Sequence, residues 1–233
     1  YDAAGTRVWI RQFGTSDSDW VSGLAPDGGG GVMITGPTSG TLAGPYTGSI
    51  DAYLTQYESA GNRVWIRQFG TTSSEYVHGV AVDGNGDIFV TGDTLGSLGG
   101  PSGGGQEVFL AKFNGSGVQQ SVVQFGTVEW SNGRAVLSDG AGGVFLAGQT
   151  EGNLGAPNPG IDDIFVARFG PACYVNCDWS TAPPILNISD FMCFMGAFAA
   201  GAAYANCDYS TRAPVANVSD FVCFMNRFAA GCP

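Results

Sequence analysis

Charge is what this sequence has least of. Asp, Glu, Lys and Arg make up 12% of its 233 residues, about half the usual share. The few that exist are unbalanced, with nine Lys and Arg against twenty Asp and Glu and a formal net charge of −11. Nucleic acid and anionic membranes need a basic surface, so both are excluded as partners, and divalent cations become the natural counter-charge. Histidine is almost missing: His78 stands alone, and the equivalent positions of the repeat described below hold Ser22 and Arg134. It therefore reads as a lone exposed side chain and not as a general base. No apolar run approaches the ~20 residues of a membrane span. Cysteine is absent before Cys173, which leaves the long front part without a thiol nucleophile. No Ser-His-Asp set stands apart from the repeat. The glycine runs Asp27–Gly31 and Gly103–Gly105 do not open helices, so they make poor phosphate loops.

Glycine, by contrast, is abundant at 38 residues, without a collagen triplet. It punctuates a repeat of period 56 that runs from Tyr1 to Phe169. Gln12-Phe13-Gly14 returns as Gln68-Phe69-Gly70 and Gln124-Phe125-Gly126, Asp27 as Asp83 and Asp139, and Gly36 as Gly92 and Gly148. Three copies result, 1–56, 57–112 and 113–169. Four strand-like runs bounded by glycine turns appear in each; in the first they are Arg7–Phe13, Trp20–Ala25, Gly31–Thr35 and Ile50–Tyr57. Asp83-Gly84-Asn85-Gly86 is a hairpin signal, because Gly and Asn accept positive φ cheaply. As half a calcium loop it is unconvincing, since Asp27-Gly28-Gly29-Gly30-Gly31 keeps the turn and drops the ligands. Asp51, Glu107 and the Asp162-Asp163 pair recur at a strand start, a structural position. Trp9, Trp65, Phe89 and Phe145 are expected between copies, and Trp20, Tyr76 and Trp130 in the core or between copies.

Four antiparallel strands in about 40–50 residues is the size of a propeller blade. The stretches Trp65–Thr71, Val82–Gly86, Val90–Gly92 and Val108–Phe113 resemble the bacterial SBBP repeats, the seven-bladed β-propeller type. That resemblance implies a propeller-type array and no particular activity, because propellers host many. Three blades fall short of the usual four to eight of a ring. The expected partners are therefore other copies of the chain or remaining blades of a longer precursor, joined head to tail into a ring or a filament. Tyr1–Gly5 matches Tyr57–Gly61, as it would in a processed or truncated product.

Residues 173–233 hold a second repeat, of period 30. Cys177-Asp178-Trp179-Ser180-Thr181 returns as Cys207-Asp208-Tyr209-Ser210-Thr211, and Asn187-Ile188-Ser189-Asp190-Phe191 as Asn217-Val218-Ser219-Asp220-Phe221. Hard oxygen donors followed by a carboxylate entering a helix is the order of a calcium loop. The first ligand set is Asp178, Ser180, Asn187 and Asp190; the second is Asp208, Ser210, Asn217 and Asp220; two calcium ions are expected. Phe191, Phe194, Met195 and Phe198 fall on one helical face. Asn187, Asn217 and Asn114 also begin glycosylation tripeptides. The segment resembles a cysteine-bearing, planctomycete-type dockerin. That resemblance implies calcium binding and attachment to a cohesin-type receptor, although Ala182-Pro183-Pro184 is an addition and the first ligand stays open between Asn176 and Asp178.

All six cysteines lie in this segment, an even count that points to disulfides and an oxidising compartment. Fifteen connectivities are open. The 30-residue symmetry and the unmatched ends favour Cys177–Cys193, Cys207–Cys223 and Cys173–Cys232. Zinc is disfavoured without a Cys-x-x-Cys. Only Gly170-Pro171-Ala172 separates the two repeats, too short for a flexible tether. The fold expected is mainly β, antiparallel four-stranded blades followed by a small α-helical, disulfide-stapled calcium-loop domain. The function expected is non-enzymatic, extracellular or cell-surface structural assembly. The alternatives are a surface-anchored module binding a glycan or protein, and then a secreted enzyme with a blade-top site.

Overall fold

The computed structural model describes residues 5–44, 46–139 and 143–169, with Phe191, Met192, Phe194, Met195, Ala199, Phe221, Val222 and Met225 of the C-terminal part. Two compact units divide the chain, Tyr1–Phe169 and Gly170–Pro233. The eight described residues of the second unit are helical, and Phe194 is fully buried.

The first unit is built of antiparallel sheets. One joins β1 (Gly23–Pro26), β2 (Val32–Thr38), β3 (Asp51–Tyr57) and β4 (Arg63–Phe69) in that order. The next joins β5 (Glu75–Val82), β6 (Ile88–Thr94), β7 (Glu107–Phe113) and β8 (Gln119–Phe125), again in order. The third has only β9 (Ser131–Ser138), β10 (Val144–Thr150) and β11 (Asp163–Phe169). Each four-stranded sheet takes its last strand from the following copy of the 56-residue repeat, because Gln-Phe-Gly closes a sheet and does not open one.

The runs beginning at Trp20, Gly31 and Ile50 become β1, β2 and β3 within a few residues. Arg7–Phe13 is the exception. It repeats as β4, yet it forms no strand among the described residues. β4 is a strand because it pairs with β3, from Ala52↔Phe69 to Tyr57↔Arg63. Arg7–Phe13 has the same residues and no ladder partner.

The sheets pack face to face. Ala25, Met33, Ala52 and Leu54 of the first sheet meet Val77, Val80, Ile88, Val90, Phe109, Ala111 and Phe113 of the second. Phe89, Val108 and Leu110 then meet Val144 and Leu146 of the third. With neighbours on both sides, β6 is buried along its whole length and β7 at every residue but Lys112. The repeated glycine of the second strand is a close approach: a Cβ on Gly92 would lie 2.0 Å from the Tyr76 carbonyl oxygen, and at Gly148 1.9 Å from that of Asn132. At the turn after the third strand, Gly117 has φ +73, and the Trp65 ring occupies the space a side chain would need.

Candidate functional site

Two places in the first unit combine unusual chemistry with access to solvent. One is a hollow of about 280 Å³ where β5 faces β9, lined by His78, Asp93, Gln106, Trp130, Asn132 and Arg134 among others. Antiparallel pairing sets Tyr76 opposite Asp93, and the register shifts at His78, between Val77 and Gly79, so that the His78 side chain reaches back to Asp93. Its Nε2 lies 2.7 Å from Asp93 Oδ1. The Gln106 side-chain amide donates to the other carboxylate oxygen. Asp93 is buried and His78 half-buried, so His78 is held in a polar network and is not the lone exposed histidine expected from sequence. The signal for it was the failure of the repeat at three positions together. Copy one has Ser22, Pro37 and Ile50 there, and copy three has Arg134, Gln149 and Asp162. Beside it, the Asn132 amide is buried with neither its nitrogen nor its oxygen hydrogen-bonded. Among the described residues no three His, Cys, Asp or Glu side chains are grouped to hold a metal.

The repeated acids are occupied otherwise. Asp83 Oδ1 accepts the amides of Asn85 and Asp87, both at 2.9 Å. Asp27 Oδ1 does the same for Gly29 and Gly31. The Gln56 side chain donates to Asp27 Oδ2 at 2.9 Å and, with the turn amides, holds this carboxyl below its usual range. These carboxylates brace hairpins. Asp51 and Glu107 serve a second repeated joint. Gln68 donates to Asp51 and to the Gly40 carbonyl, while its oxygen accepts from Leu42 and Ala43. Gln124 does the same with Glu107, Gly96, Leu98 and Gly99. Each glutamine pins the fourth strand of a sheet to the long loop between its second and third.

The other place is the pair of uncovered sheet sides. β11 shows a strict alternation of half-buried and exposed residues, whereas its counterparts β3 and β7 are buried nearly throughout. Ile164 is 82% exposed and Val166 70%, against 0% for Ala52, Leu54 and Val108 at the matching positions of β3 and β7. Leu137 and Phe145 are exposed as well, while their counterparts Ala81 and Phe89 are buried. Phe145 thus lies on this open side, and Phe89 fills the joint as expected. On the opposite side of the array Val21, just before β1, and Leu24 of β1 are exposed, where the equivalent Val77 and Val80 are buried. Trp20 is 47% exposed, and Tyr76 and Trp130 are half-buried around the polar hollow.

Arg7–Phe13 lies across one part of that opposite side. The Trp9 indole donates to the Ser59 carbonyl at 2.9 Å and Arg11 Nε to that of Gly61 at 2.9 Å. Phe13 packs on Tyr53 and Tyr57. The same set recurs where Trp65 donates to Gly115, Arg67 to Gly117, and Phe69 packs on Phe109 and Phe113. Phe125 meets Phe165 and Phe169 likewise. Arg7–Phe13 therefore sits on the first sheet as β4 sits on the second and β8 on the third.

Comparison with known proteins bears on the repeat. Residues 64–99 match the family model of SBBP, the beta-propeller repeat, a stretch running from β4 through β6. This part of the chain is a β-propeller repeat. The regulatory protein FlaEY of Caulobacter vibrioides is 28% identical over 146 residues, 55% of this chain. The match covers 15% of that relative's length. Among solved structures, the lignostilbene dioxygenase of Pseudomonas brassicacearum aligns at 15% identity and a TM-score of 0.40, over 64% of this chain and 34% of that one. A likeness at that level says nothing of chemistry.

The expected calcium ligands Asp178, Ser180, Asn187, Asp190, Asp208, Ser210, Asn217 and Asp220 lie outside the described residues. So do Cys173, Cys177, Cys193, Cys207, Cys223 and Cys232.

Proposed function

We propose that the chain is a non-enzymatic, extracellular assembly subunit whose propeller-type blades join other chains through their uncovered sides. One observation carries this reading. The apolar residues that are buried between sheets one and two, and between two and three, are exposed on the outer side of the third sheet. Isolated apolar residues on a surface are ordinary, but a contiguous set in the positions of an inter-sheet core marks an interaction surface. The complementary set, Val21 and Leu24, is exposed on the far side of the first sheet. Two unlike, complementary sides make head-to-tail association the natural contact. Light scattering tests this: an assembly subunit gives a multiple of the 24.0 kDa chain mass, and a stable single-chain particle rejects it.

The second unit, in this reading, is a disulfide-stapled, dockerin-like module that loads two calcium ions and attaches the assembly to a surface or a cohesin-like receptor. Small units of this size need such staples to offset a small core. The duplicated Asp, Ser, Asn and Asp donors support the metal. Titration calorimetry of the calcium-free chain should find two sites, abolished together by chelator; a chain that binds no calcium contradicts the loop assignment.

The hollow around His78 favours a second reading, a module that binds a glycan or protein on its blades, because its polar residues do not repeat and are not needed in the other sheets.

A further inference from the structure

Resting on the assembly reading, we infer that the partner is a second copy of this chain and that the contact is a strand exchange: Arg7–Phe13 of one copy becomes the missing fourth strand of the third sheet of the other.

Both halves of the joint are present in every copy. Among the described residues the third sheet stops at β11, and the 56-residue repeat does not continue in the sequence that follows. One period after Gln124-Phe125-Gly126 the chain reads Ser180-Thr181-Ala182. Arg7–Phe13 carries the fourth-strand residues, including Gln12-Phe13-Gly14, and already makes the forward contacts of a fourth strand against its own first sheet. What it lacks is the third strand to pair with. Among the described residues β11 is such a strand with an open edge, and an open edge is a row of unpaired backbone donors and acceptors.

Shifting the observed β3–β4 ladder by the repeat sets the register. Phe13 falls opposite Ile164, Gln12 opposite Phe165, Arg11 opposite Val166, Ile10 opposite Ala167, Trp9 opposite Arg168 and Arg7 opposite Phe169. A slip by one residue would turn every side chain to the wrong face, so the register is strongly specified. In this register Gln12 comes to Asp163, as Gln68 does to Asp51 and Gln124 to Glu107. Gly152, Leu154 and Gly155 supply the loop groups that Gly96, Leu98 and Gly99 supply to Gln124. The same placement lays the first sheet of one copy over Leu137, Phe145, Ile164 and Val166 of the other. Val32 and Ile34 then reach Val166 as Val144 and Leu146 reach Leu110. A foreign strand would have to reproduce Trp, Arg, Gln and Phe at this spacing; the chain itself does. Reciprocal exchange between two copies brings together the six sheets of their described residues, within the usual range of a closed propeller.

Photo-cross-linking of the full chain tests the exchange. Copies with p-benzoyl-phenylalanine in place of Ile10, which is exposed, are mixed with ¹⁵N-labelled copies lacking the probe, irradiated and analysed by mass spectrometry. The expected product is an intermolecular one whose labelled peptide carries the attachment at or next to Ala167. Labelled copies with Val166→Asp should be captured at least tenfold less. Attachment to any other segment of the labelled copy overturns the strand exchange while leaving assembly standing. Attachment only within the probe's own chain also overturns it. A particle of single-chain mass with no intermolecular product overturns both.

Discussion

Replacing Val166 by aspartate is expected to leave the chain folded and to weaken its self-association by about 100-fold, the effect of burying an unpaired carboxylate at a cost of about 3 kcal/mol. In the single chain Val166 is 70% exposed, so the new carboxylate stays hydrated and stability moves by less than about 0.5 kcal/mol. In the proposed assembly the same position would take the place of Leu110, which is packed against Val144 and Leu146 in the joint between the second and third sheets. Sedimentation equilibrium gives the dissociation constant, and urea unfolding of the variant gives its stability. Unchanged association would remove the third sheet's outer side from the interface. Loss of stability in the isolated chain would mean that Val166 is already covered.

The second large effect is internal. Gly92→Ala is expected to destabilise the first unit by about 3 kcal/mol, at the upper end of what overpacking in a filled core costs. The added methyl would stand 2.0 Å from the Tyr76 carbonyl oxygen and 2.9 Å from the Phe109 ring, and the carbonyl belongs to the neighbouring strand's backbone, which has no rotamer to change. β6 is buried along its whole length, so the strand has nowhere to move. Gly84→Ala is the control, with nothing within 4 Å of the new carbon, and its unfolding midpoint in urea should stay close to that of the parent chain. Equal midpoints for the two variants would show that the crossing of the first and second strands is looser than described.

The β architecture was legible in the sequence because its causes are local and repeated. Alternating apolar residues fix the faces of each strand, and Asp83-Gly84-Asn85-Gly86 and its relatives fix the turns. Sheet boundaries were not legible, since a periodic sequence is cut equally well at any phase. Arg7–Phe13 and β4 are identical in sequence, and only the presence of β3 beside one of them makes a strand. The His78 network escaped for a related reason. His78 and Asp93 are brought together by the pairing of β5 with β6 and not by a motif, so the sign of it was a break in the repeat at positions far apart in the chain. The expected calcium loops and cysteine pairs rest on the 30-residue duplication and the chemistry of its oxygen and sulfur atoms.

The proposed strand exchange would complete the third sheet, and the mass of the native particle tests it most directly. Light scattering on purified protein in calcium-containing buffer at micromolar concentration should return twice the chain mass of 24.0 kDa, and the Val166→Asp variant should fall toward one chain on dilution. A monodisperse particle of 24.0 kDa across the same concentrations, with no associated fragment, would contradict the account.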